Sequence, residues 1–78
     1  MNKIDILKQS LEARIDEVMG YQINIDNYTL AIAEIDKSGD TDLAPFKEQL
    51  EMLRKSEILE QKKAKIMLEV VRKQVETC

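Results

Sequence analysis

From Ile4 onward, apolar side chains recur at alternating spacings of three and four: Ile4, Leu7, Leu11, Val18, Tyr21, Ile25, Tyr28, Ile32 and Ile35, with Arg14 the one polar intruder. Spacing of this kind over more than four heptads marks a helix that buries one narrow stripe against another helix. The pattern predicts a first helix over about residues 2–37. Asn2 is a good cap for its N-terminus, and Asp5 favours the positive end of the helix. The stretch from Gly20 to Thr29 is made of mediocre helix formers, and a glycine there costs about 1 kcal/mol relative to alanine. The stripe keeps its phase through this stretch, so helix is still expected, with a kink near Gly20 the expected departure.

Ser38-Gly39-Asp40-Thr41 breaks the pattern. Gly39 suits the left-handed position after a helix, Thr41 or Asp42 is placed to cap the next one, and Pro45 fits only its first turn. This predicts a turn over 38–42 and a second helix over about 43–76, laid antiparallel to the first because the connection is short. Continuing the same phase gives a second stripe: Leu43, Phe46, Leu50, Leu53, Glu57, Glu60, Ala64, Met67, Val71, Gln74 and Cys78. Folding about Asp40 pairs positions whose numbers add to 81 or 82, so that Ile32 meets Leu50 and Leu11 meets Val71. The apolar ends mesh. A polar patch of Arg14, Tyr21, Tyr28, Glu57 and Glu60 falls in the middle, where the phenols are expected to donate to the carboxylates.

A second apolar set lies off this seam: Met19, Ile23, Leu30 and Ala33 on the first helix, and Met52, Leu59, Ile66 and Val70 on the second. An isolated hairpin leaves such ridges wet, and its core only marginally offsets roughly 1.5 kcal/mol of ordering entropy per residue. The expected architecture is therefore all-α: one domain, 1–78, forming an antiparallel, coiled-coil-like two-helix hairpin. It is expected to self-associate through these ridges into a four-helix or larger bundle, a homo-oligomer.

Composition agrees with long amphipathic helices. Charged residues make up 35% of the chain, with only two glycines and one proline. The net charge of −3 is uneven. Residues 1–42 carry four Lys/Arg and nine Asp/Glu, a net of −5; residues 43–78 carry eight and six, a net of +2. The halves attract, which favours folding the chain back on itself. No apolar run approaches the length of a membrane span, and Met1 to Leu11 lacks the unbroken apolar stretch of a secretory signal. The single cysteine, Cys78, excludes an intrachain disulfide and suits a reducing cytoplasm.

Candidate chemistry is sparse. The Asp36–Asp42 turn fails the calcium-loop spacing, because Thr41 stands where a glycine is needed and Lys47 where a bidentate glutamate is needed. Glu57 and Glu60 share a face, but the chain has no histidine to complete a di-iron set. Lys62, Lys63 and Lys65 are interleaved with glutamates in an acidic chain, so nucleic acid is not the expected partner. No serine has a plausible base, and neither catalytic residues, a metal site nor a cofactor is expected. The expected role is a small, non-enzymatic helical interaction protein that binds itself and an unidentified protein partner. Adaptors, accessory proteins and inhibitors, including those of phage genomes, are of this size and style. The alternative expectation is an oligomeric bundle that sequesters a small anionic ligand such as a nucleotide between protomers, through Arg14, the tyrosines and the lysines of the second helix.

Overall fold

The structure is a computed structural model and describes residues 2–77; the thiol and the seam position expected of Cys78 lie outside it. Two long helices account for nearly the whole of it. Helix α1 spans Lys3–Ser38 and α2 spans Ala44–Thr77. They pack along their length as an antiparallel hairpin of 57 × 15 × 15 Å. That length is close to the roughly 54 Å that 36 helical residues span at 1.5 Å each.

The helix ends are set by local chemistry. Asn2 Oδ1 accepts from the Asp5 backbone N–H at 2.9 Å, which satisfies one of the free donors of the first turn. At the other end Gly39 takes a φ of 65°, the left-handed conformation that an L side chain resists. Asp40, rather than Thr41 or Asp42, is the capping residue after the turn. Its carboxylate accepts from the Asp42 N–H at 2.9 Å and opens a short 3₁₀ turn over Thr41–Leu43. Pro45 falls in the first turn of α2, where its missing N–H has no helical partner to lose. Helix α1 runs unbroken through Gly20.

The α1 side of the seam matches the expected stripe. Ile32 is buried, and Leu7, Leu11, Arg14, Val18, Tyr21, Ile25, Tyr28 and Ile35 are half-buried; only Ile4, at the open end, is exposed. The α2 side departs from it. Leu43, Leu50, Glu57, Ala64 and Val71 do face α1. The companion track is not the flank of Phe46, Leu53, Met67 and Gln74, which are exposed and among which only Glu60 is half-buried. It is the one that starts a residue later: Lys47, Arg54, Gln61, Leu68 and Val75. Phe46 keeps 49% of its surface exposed, whereas Gln61 keeps 7%. The physical reason is that both tracks flank the 43-50-57-64-71 track, one on each side. In the hairpin the more polar flank meets α1. Long side chains tolerate that place, since their aliphatic stems cover apolar surface while their heads reach a partner.

Candidate functional site

The inward polar track of α2 is the first constellation that the fold assembles. Lys47 Nζ pairs with Asp36 Oδ1 at 2.6 Å. One heptad on, Arg54 Nη1 donates to Thr29 Oγ1 at 3.3 Å, while that hydroxyl donates back to the Ile25 carbonyl at 2.8 Å. One heptad further, Gln61 Nε2 donates to Gln22 Oε1 at 2.9 Å and to the Val18 carbonyl at 3.2 Å. Gln22 passes the chain on by donating to Asp26 at 2.9 Å. In each of these side-chain rungs the two residue numbers add to 83. The cross-links therefore repeat with the helix–helix register and hold it. The single buried polar side chain among the described residues, Gln61, has its amide donors used, and no buried side-chain nitrogen or oxygen there lacks a partner.

The ion pair at the first rung has a titration consequence. The Asp36 carboxylate holds the Lys47 ammonium above the usual lysine range, chiefly through their hydrogen bond and then through its charge. Further along α2, the Arg72 guanidinium pulls the Glu69 carboxyl below its usual range through hydrogen bonds of 2.8 and 3.0 Å. Arg72 is raised in turn and also pairs with Glu76. That second cluster lies within one helix and stays in water.

The expected polar patch is only partly assembled. Tyr21, Tyr28, Glu57, Glu60 and Arg14 are all half-buried on the seam, but their hydrogen bonds run elsewhere. Glu57 accepts from Asn24 Nδ2 at 3.5 Å, Glu60 from Lys63 at 3.1 Å, and Arg14 donates to Glu17 at 3.2 Å. Among the described residues neither phenol donates to either glutamate. The reason is the flank again: with the Lys47 flank of α2 meeting α1, Glu60 points past the seam toward Lys63. Sequence reasoning missed Lys47, Arg54 and Gln61. The available signal was their heptad spacing, mirrored at Asp36, Thr29 and Gln22.

The second constellation is on the outside. Leu30, Met52 and Ile66 keep 65%, 70% and 66% of their surface exposed, and Met19, Ile23, Leu59 and Val70 are exposed with them. Met52, Leu59 and Ile66 are one heptad apart, on the side of α2 opposite the seam. Beside them a shallow groove of about 580 Å³ is lined by Met52, Lys55, Ser56, Ile58, Leu59 and Lys62. It does not include Arg14, Tyr21 or Tyr28, so the residues expected to clasp an anionic ligand are split between the seam and the far side of α2.

Among the described residues no helix is long and apolar enough to cross a membrane. No protein-family model, curated protein or solved structure matches this chain.

Proposed function

We infer that the chain is a small, non-enzymatic interaction protein. It acts through helix–helix contacts with further copies of itself and with a macromolecular partner. The observation that carries this reading is the display of large apolar side chains away from the seam, led by Met52, Ile66 and Leu30. Single exposed apolar residues are ordinary, but a heptad-spaced ridge on each helix is the surface of a helix that packs against another. Burial of these ridges also supplies the apolar area that a lone hairpin lacks. Light scattering tests the reading. At micromolar concentration and above, the mass is expected well above the 9.0 kDa of one chain. A cooperative monomer at every concentration overturns it.

A further inference from the structure

Each helix carries its outer apolar ridge among charges mostly of one sign, and the two majorities are opposite. Lys37, paired with Glu34, is the exception beyond Leu30 on α1, and Glu48 and Glu69 are the exceptions at the two ends of the α2 ridge. On α1, Ile23 and Leu30 lie one heptad apart, with Met19 beside them and Asp16 and Asp26 at their margins. On α2, Met52, Leu59 and Ile66 are flanked by Lys55, Lys62 and Lys63. Lys55 and Lys62 make no ion pair among the described residues, nor does Asp16.

The ridges also stand level. The rungs join residues whose numbers add to 83. On that scale Leu59 is within one residue of the height of Ile23, and Met52 within one residue of Leu30. The two ridges thus occupy opposite long edges of a flat hairpin at the same height, one with mainly acidic margins and one with mainly basic margins.

We propose that a second copy of this chain docks edge to edge, with the acidic outer ridge of its α1 laid antiparallel on the basic outer ridge of α2. This deepens the self-association reading above, on which it rests, by naming the two surfaces and their polarity. A copy displaced sideways by two helix widths brings its Ile23 beside Leu59 and its Leu30 beside Met52. That repeats across the boundary the register already used inside the chain. The alternative, in which like edges meet about a two-fold axis, sets the lysines of one α2 against those of the next. The contact proposed is between unlike surfaces, so each added copy presents a fresh acidic edge and a fresh basic edge. Assembly is open and does not stop at a dimer unless accumulated twist closes a ring. Because opposite charges surround the ridges, added salt weakens the assembly.

Two edge-blocked variants test this. Ile23→Gln with Leu30→Gln removes the α1 ridge; Met52→Gln with Leu59→Gln removes the α2 ridge. Both pairs are exposed and outside the intrachain seam, and circular dichroism confirms that the helices remain. Sedimentation is read from micromolar to millimolar concentration. The unaltered chain is expected to pass twice its 9.0 kDa mass and keep rising. Each variant alone is expected to stay at one chain mass, and an equimolar mixture to stop at two. A variant that still assembles alone, a mixture that stays monomeric, or an unaltered chain that halts at a symmetric dimer overturns the edge-to-edge contact while leaving self-association standing. An unaltered chain that is monomeric throughout overturns both. If a glutamine variant loses helix, the charge-reversed pair replaces it: Asp16→Lys with Asp26→Lys, and Lys55→Glu with Lys62→Glu. Each is expected to stay monomeric alone and to assemble when mixed. Assembly of either alone overturns the proposal.

Discussion

Beside the mostly apolar inner track of Leu43, Leu50, Glu57, Ala64 and Val71, helix α2 carries two further heptad tracks that invert the usual order of a soluble helix. The second inward one begins Lys47, Arg54, Gln61 and turns apolar only at Leu68 and Val75. The outward one is Met52, Leu59, Ile66. The inward polar residues are tolerated because each finds a partner across the hairpin, at Asp36, Thr29 and Gln22. They contribute register more than burial, as polar residues at paired-helix seams do. The outward apolar residues have no such intrachain account. What the contrast teaches is that the hairpin's own fold does not use all the apolar surface of α2, and that the surplus sits on one continuous edge.

The sharpest way to separate the two tracks is to cut the same kind of side chain on each side. Leu50 is buried against α1, and Leu50→Ala is expected to cost about 2–4 kcal/mol in urea denaturation at any protein concentration. Met52→Ala, two residues away and exposed, is expected to change unfolding of the dilute chain by no more than about 0.5 kcal/mol. Its effect belongs to assembly, as a lower Tm at high concentration only. Equal losses for the two at low concentration would mean that the outer ridge is part of the hairpin's own core.

A smaller effect sharpens the meaning of the rungs. Gln61→Ala removes the amide that serves Gln22 and the Val18 carbonyl, and is expected to cost about 1–2 kcal/mol in thermal or urea unfolding. Gln61→Leu is expected to recover part of that through apolar burial while allowing the helices to slip, which disulfide crosslinking of cysteines placed at Leu11 and Val71 (with Cys78 replaced) reports as lower yield. Undiminished crosslinking would remove Gln61 from the register argument. Converting both Glu57 and Glu60 to Leu is expected to leave stability neutral or raised by about 1 kcal/mol, because both carboxylates are only half-buried and weakly partnered within the seam. A strong loss in thermal melts would show that they are structural acceptors after all.

The smallest expected effects are those of pH. Lys47 is held above its ordinary range by Asp36, so that rung's contribution is fully present below about pH 10.4 and fades as pH rises through the raised value. Glu69 is depressed by Arg72, so its contribution is present above about pH 4.3 and fades as pH falls through the lowered value. Asp36, Glu69 and Arg72 are exposed and Lys47 is only half-buried, so melting temperatures of Lys47→Met and Arg72→Met are expected to lie close to that of the unaltered chain near neutrality. The two variants are expected to flatten the alkaline and the acid limb of the stability profile, respectively.

How much of this was legible varies along the chain. On α1 the apolar stripe could be read because it keeps one heptad phase from Ile4 to Ile35, whereas its apolar neighbours Ile6, Ile15 and Met19 do not, and the helix buries what the pattern predicts. The cap at Asn2 and the left-handed Gly39 were legible for a local reason: each depends on a few consecutive residues and a backbone geometry that only some side chains accept. The outer ridges were legible as apolar residues out of phase with the stripe. On α2 only half the seam could be read. The track Leu43, Leu50, Glu57, Ala64 and Val71 belongs to the seam on either reading. Its companion could be Phe46, Leu53 and Met67 on one flank or Lys47, Arg54 and Gln61 on the other, and hydrophobicity alone favours the first.

Periodicity and contacts a few residues long were enough to give two helices, the cap at Asn2, the left-handed Gly39 and the face that α1 buries; the cap after the turn proved to be Asp40. Only the tertiary structure decided which flank of α2 meets α1. That choice goes with whether Lys47, Arg54 and Gln61 find acceptors on a helix up to 43 residues away in the chain. A helix wheel shows which side chains share a face. It does not show what stands opposite, and here the groups standing opposite made a polar track one of the two inner ones.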